Sequence, residues 1–355
     1  MESLELKDFW QGKRVLITGH TGFKGSWLSE MLLMRGAFVY GLSLEPESQP
    51  NLFTQLELAK RLDHLVCDIT ESKPVKNRII EVNPDIIFHL AAQPLVLRSY
   101  RQPILTWLTN VMGTANVMEG VKALKKQCSI VIVTTDKVYE DNSTIKAYVE
   151  SDKLGGHDPY SASKAASELI VDSWRKSFFY NSDIRVATAR AGNVIGGGDW
   201  SENRLIPDLA RAFQSGAALT VRRKNSVRPW QHVLEPLEGY LTLAQSLSTE
   251  LTQNLEMAFN FGPHSKNNNS VYEVVKEALK YWNGNITESE EEVDFHESTH
   301  LSICSERSKN LLGWEPRWNF SQSIKETITW YRKAAEGADP KDLTKSQIEK
   351  YWRSI

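Results

Sequence analysis

Short apolar runs alternate with longer amphipathic stretches through the first half of the chain. Residues 14–18 and 38–42 read as strands, and residues 25–35 between them read as a helix closed by Gly36. Further strands are expected over 62–68, 84–90, 129–134 and 184–189, with long helices over 104–125 and 159–179. Such alternation predicts βαβ units, and so an α/β fold with a doubly wound parallel sheet covered on both faces.

After Ala191 the texture changes. Residues 192–200 are glycine-rich, 222–230 are basic, and 267–270 read as a loop ahead of a helix over 271–281. Residues 257–261 have the pattern of a strand returning to the sheet. The expected organisation is a cofactor-binding domain over 1–190, with returning elements near 231–262. A smaller, partly interleaved lobe over 191–355 would bind substrate. The charged tail over 330–355 is expected to be a peripheral helix.

Composition narrows the class. At 355 residues the chain exceeds the length at which one core keeps growing. A formal net charge of −2 gives no reason to expect nucleic acid or an anionic membrane as partner. No apolar run approaches the roughly 18 residues of a spanning helix. Residues 1–8 carry acids where a signal peptide would be basic and then apolar. Cys67, Cys128 and Cys304 are scattered without metal spacing, so a metal-free, cytoplasmic enzyme is expected.

Candidate chemistry begins at the first strand–turn–helix. Gly19, Thr21, Gly22, Phe23, Lys24 and Gly25 form a turn where glycines let a pyrophosphate approach and a helix N-terminus attracts its charge. That context points to a Rossmann-like dinucleotide site. Ser43 stands about 20 residues on, where a ribose-binding acid is expected. No arginine is close by to welcome a 2′-phosphate, so NAD is favoured. Asp68 with Ile69 is read either as an adenine cap or, for Asp68, as a helix N-cap.

The strand over 130–133 ends in Thr135, Asp136 and Lys137, at the sheet edge where open α/β folds bind ligands. Tyr160 and Lys164 lie four apart, on one helical face. A free tyrosine titrates near about 10. A neighbouring ammonium and an oxidised nicotinamide should lower that value by stabilising phenolate.

On these motifs, together with residues 89–93, 190–194 and 205–207, the chain is similar to the extended short-chain dehydrogenase/reductase superfamily. Within its nucleotide-sugar branch, residues 19–28 and 92–100 most resemble CDP-glucose 4,6-dehydratases. The resemblance implies that Leu90, Ala91 and Ala92 border the cofactor. It places Asn193, Arg204, Leu205 and Arg228 on the nucleotide diphosphate, and Gln93 and Arg98 in the sugar pocket. It implies C4 oxidation by Tyr160 with Lys164 and Thr135, elimination of water through Asp136 and Lys137, and hydride return to C6. Where the familiar dehydratase pattern is Asp-Glu, this chain has Asp136-Lys137. A dehydratase for another nucleotide, a C4 epimerase and a catalytically silent NAD sensor remain alternatives, and a solvated loop pair is the lesser reading of Asp136-Lys137. Residues 222–224 read as a solvated turn or a diphosphate contact. The long helices are expected to pair across a two-fold axis in a homodimer or homotetramer.

Overall fold

A computed structural model describes residues 9–141, 146–249, 257–264, 268–288 and 301–354. Seven strands build the main sheet: β1 (Arg14–Thr18), β2 (Phe38–Ser43), β3 (Asp63–Val66), β4 (Ile86–His89), β5 (Cys128–Val133), β6 (Ile184–Ala191) and β7 (Ala258–Phe261). Their order is β7-β6-β5-β4-β1-β2-β3, and every pairing is parallel. Continuous apolar runs make this possible. β4 and β5 are buried along their whole length, which suits strands covered on both faces.

Alternate residues feed two cores. Val15, Ile17, Phe88 and Val131 pack on one side with Trp27 and Leu28, whereas Leu16, Ile87, Ile130 and Ile132 pack on the other with Val117 and Val171. The chain runs outward through β1, β2 and β3, then returns to lay β4 on the far side of β1. That reversal opens a crevice at the carboxyl ends of β1 and β4, where such sheets bind ligands.

Helices α1 (Phe23–Met34), α2 (Ser72–Val82), α3 (Gly113–Val121) and α4 (Pro159–Trp174) cover the sheet. The stretch predicted as one helix over 104–125 is Pro103–Trp107, a π-helical turn over Leu108–Met112, and then α3. A second π-helical turn, Arg175–Phe179, extends α4. Helix α5 (Leu205–Ser215) precedes α6 (Leu234–Thr249), which packs against β5 and β6.

Two expectations need correction. Asn268–Ser270 is a short strand antiparallel to Val227–Pro229 rather than loop, while residue 267 lies outside the described residues. The tail is not peripheral. Its first residues belong to α7 (Phe320–Ala335), and α8 (Pro340–Arg353) follows, with Trp330, Ile348 and Tyr351 fully buried and Tyr331 nearly so. Charges on one helical face masked an apolar stripe on the other. Glu235 of α6 anchors the tail by accepting from Trp318 N (2.7 Å), Arg317 N (2.9 Å) and the Tyr351 hydroxyl (2.7 Å).

Candidate active site

A cleft of about 690 Å³ runs along the carboxyl ends of the sheet strands. Its first part is the glycine turn. Gly19 has φ +77°, and a Cβ there would stand 2.6 Å from Ala91 N, so both conformation and packing demand glycine. A Cβ on Gly25 would overlap the Gly19 carbonyl, which sets how closely α1 meets the turn. A Cβ on Gly22 would meet only the Gly19 carbonyl, at an ordinary 3.4 Å, and no side chain caps α1, so the helix N-terminus is left for an anion. This cradle fits the pyrophosphate of a dinucleotide.

Thr21, Phe23, Lys24, Ser43, Asp68, Ile69, Leu90, Ala91 and Ala92 all line the same cleft. Ser43 Oγ lies 2.8 Å from Thr21 Oγ1, which also donates to Leu44 O at 2.8 Å. Asp68 is not a helix N-cap. Helix α2 begins at Ser72 after Glu71, and Asp68 Oδ1 accepts from Thr70 N (2.8 Å) in a local turn. His89 is a packing group: Nδ1 pairs with Thr18 Oγ1 at 2.7 Å and Nε2 with Thr114 Oγ1 at 3.1 Å. Burial, helped by the Lys164 charge, pushes it down to about 3.

The second part sits where β5 ends. Thr135 caps the turn Asp136–Val138 by accepting from Lys137 N (3.3 Å), and its hydroxyl donates to Asp136 Oδ1 (3.0 Å). Asp136 is 1% exposed, and its Oδ2 finds no hydrogen-bond partner among the described residues. A Cβ on Gly192 would stand 3.1 Å from that oxygen, so glycine keeps the space in front of it free. Lys137 Nζ lies 3.5 Å from Asp136 Oδ1 and its side chain is 22% exposed, which places the pair on the cleft wall rather than in open solvent.

Tyr160 and Lys164 come from the first turns of α4, whose N-terminus Asp158 caps through Tyr160 N (2.9 Å) and Ser161 N (3.0 Å). Tyr160, Lys164 and Thr135 all line the cleft. Lys164 Nζ donates to Val133 O at 2.8 Å, and burial lowers it to about 8. The expected lowering of Tyr160 is not found in the protein alone. Burial first, and then the Asp136 charge, push it up to about 12 against the Thr135 hydroxyl and the Arg204 charge. Lys24 also reaches this region: burial, then Arg204, lower it to about 7, while the Asp136 charge works the other way.

Asn193, Arg204, Leu205 and Arg228 line the opposite wall, with Arg204 Nη1 2.9 Å from Asp199 Oδ2. Arg222 and Arg223 line it as well, and Lys224 turns away to Glu288. Gln93 and Arg98, which the resemblance puts in the sugar pocket, also line the cleft, each held by neighbouring groups. The Gln93 amide donates to Thr106 Oγ1 (2.9 Å) and Leu95 O (3.2 Å) and accepts from Leu95 N (2.7 Å). Arg98 spans the cleft mouth, donating to Glu47 (2.6 Å) and Glu202 (3.3 Å).

Sequence reasoning passed over two supports. Glu168, one turn beyond Lys164, is buried and accepts from Thr134, Thr188 (2.7 Å) and Arg190 (2.9 Å), fixing the end of β5 against α4. Its i+4 spacing from Lys164 was the available signal. Asn110, inside the π-helical turn, pairs with the Gln93 backbone through both amide atoms (2.8 and 3.1 Å) and donates to Ser163 Oγ (2.9 Å). Nothing in sequence announces a π-turn.

Comparisons with known proteins give the family and the fold. A family profile described as GDP-mannose 4,6 dehydratase matches residues 16–327. Over 351 residues the chain is 41% identical to the CDP-glucose 4,6-dehydratase of Salmonella typhimurium, covering 97% of this chain and 98% of that protein. The epimerase Mth375 of Methanothermobacter thermautotrophicus superimposes with a TM-score of 0.79 at 21% identity, with 98% of each chain covered. The dTDP-glucose 4,6-dehydratase of Bacillus anthracis, solved in complex with NAD, gives 0.75 at 24% identity over 92% of this chain and 98% of that one.

Proposed function

The chain belongs to the GDP-mannose 4,6 dehydratase family, and from that footing we propose that it converts CDP-D-glucose to CDP-4-keto-6-deoxy-D-glucose and water, with NAD as a retained hydride carrier. Identity of 41% over nearly the full length of a CDP-glucose 4,6-dehydratase supports the substrate. One structural observation carries the reaction type. Asp136, whose buried Oδ2 has no partner among the described residues, lines the same cleft as Thr135 and Tyr160, which gives a proton donor for a leaving group next to an oxidation site. An epimerase has no use for that donor.

NAD, when bound, supplies the acceptor for the C4 hydride and its donor to C6. Tyr160 takes the 4-hydroxyl proton, with Thr135 and the buried Lys164, whose ammonium is anchored on Val133 O, in the same cleft. The new 4-ketone acidifies C5–H. Lys137 removes that proton, Asp136 protonates O6, and the C6–O bond breaks to release water. Lys137 returns a proton to C5 as hydride reaches C6. Arg204 and Arg228, with Asn193, hold the diphosphate, for which arginine's fork is better shaped than lysine's ammonium.

A second copy of the chain completes the assembly. Ile104, Leu108 and Met112 on one long helix and Leu169 and Phe178 on the other are exposed apolar side chains that suit an isologous helix pairing. Cys67, Cys128 and Cys304 are all free thiols, in keeping with a reducing cytoplasmic setting. Purified protein incubated with CDP-, dTDP- and UDP-glucose, with and without NAD, tests the reading. The 4-keto product, followed by its ultraviolet absorption in base, should form with CDP-glucose far ahead of the others. Equal turnover of all three would refute the nucleotide assignment.

A further inference from the structure

The segment over 197–204, which brings Arg204 to the cleft, is tied down by two helices. Trp27 of α1 donates through Nε1 to Gly197 O at 2.9 Å, and a Cβ on Gly197 would overlap the Trp330 ring of α7. The Tyr331 hydroxyl, also from α7, donates to Asp199 O at 2.5 Å, and the Trp200 ring meets the Tyr331 ring edge-on. Asp199 itself is 3% exposed, and both of its carboxylate oxygens are in use. Oδ1 accepts from Ser201 N at 3.0 Å, and Oδ2 accepts from Arg204 Nη1 at 2.9 Å.

We propose that Asp199 is a positioning residue for the substrate diphosphate: it fixes the Arg204 guanidinium before the nucleotide sugar arrives, and Tyr331 of the tail fixes Asp199. The inference rests on the reading above that Arg204 holds the diphosphate. A free arginine arm gives up many rotamers when it grips a phosphate, and an arm already held gives up fewer. The guanidinium carries several N–H donors in a rigid fork, so Asp199 can take one and leave others for phosphate oxygens.

The pair is built unevenly. The Asp199 side chain is 4% exposed and the Arg204 side chain 35%, so a carboxylate inside the protein holds a cation on the cleft wall. Burying that carboxylate costs hydration, which the paired guanidinium offsets. An aspartate needed only to shape its own turn would use the bond to Ser201 N, and Oδ2 would be spare. The link to Tyr331 also gives the buried tail a part in the site, through a main-chain oxygen of the same residue.

Asp199→Asn keeps the side-chain shape and the Ser201 turn but removes the charge that holds Arg204. Its KM for CDP-glucose, and its Kd for CDP by calorimetry, should both rise about tenfold, as for loss of a charge-assisted hydrogen bond. The change in kcat should be much smaller, and the Kd for NAD should stay at the wild-type value. Tyr331→Phe leaves the charged pair intact and should raise the same two constants about threefold, as for a neutral hydrogen bond. Added to Arg204→Ala, D199N should weaken CDP binding no further, because a residue that acts through Arg204 then has nothing to act on. A D199N that weakens NAD and CDP alike, or whose effect adds in full to that of R204A, makes Asp199 a structural residue and overturns the proposal. So does a D199N that binds CDP as the wild type does while R204A binds it weakly. An R204A that itself binds CDP like the wild type removes the diphosphate role of Arg204, and the proposal with it.

Discussion

Tyr160, Asp136 and Lys137 divide the proposed chemistry, and each can be tested alone. Tyr160→Phe keeps the ring and removes the base, so turnover should fall by about 10²- to 10⁴-fold, with no reduced nicotinamide on mixing. Asp136→Asn should block water loss while slow C4 oxidation stays visible as cofactor reduction; normal 6-deoxy product from it would contradict the assignment of the acid. Lys137→Met should stop solvent deuterium from entering C5 while leaving oxidation in place, as mass spectrometry of recovered sugar would report. Thr135, Asp136 and Lys137 were legible because a buried strand ended in reactive side chains, and position alone then marks a site. What holds Gln93 and Arg98 was not. Their partners, Thr106, Glu47 and Glu202, come from other elements, and only the folded chain brings them within reach.

At the scale of elements, the β1–turn–α1 unit depends on glycine at two points. Gly19→Ala must strain a positive φ and push against the Ala91 backbone, so it should cost more than about 1 kcal/mol and weaken NAD binding. Calorimetric titration of the folded variant with NAD checks this. The two long helices were legible from their length and apolar content, yet each carries a π-helical turn on the side that exposes Leu108, Met112 and Phe178. If that face pairs two copies, Leu108→Glu should sediment as a monomer where the wild type sediments as a dimer or larger; an unchanged sedimentation coefficient would argue against it. Asn268–Ser270 escaped notice because its strand character comes from pairing with Val227–Pro229, a contact between distant segments.

Across the whole molecule, the sheet, its helices and its reversal point follow from alternation of short apolar runs with amphipathic ones. The burial of the tail does not, since polar residues dominate it and only its folded face shows the apolar stripe. Glu235 ties this tail to α6, and burial pushes its carboxyl from 4.5 up to about 7. A carboxyl raised on folding stabilises the protonated native state. Its contribution is therefore full below about pH 4.5 and is lost as pH rises through about 7. Thermal midpoints of the wild type should fall across that window, and Glu235→Gln should flatten the fall; parallel curves would show that Glu235 does not titrate there.

The central claim is that one sugar both gives and receives the hydride. Incubation of the enzyme with CDP-glucose deuterated at C4, at a substoichiometric level of NAD, tests it directly. The account predicts keto product with deuterium on C6. Deuterium retained at C4 of an epimer, or found in free reduced nicotinamide, would contradict it.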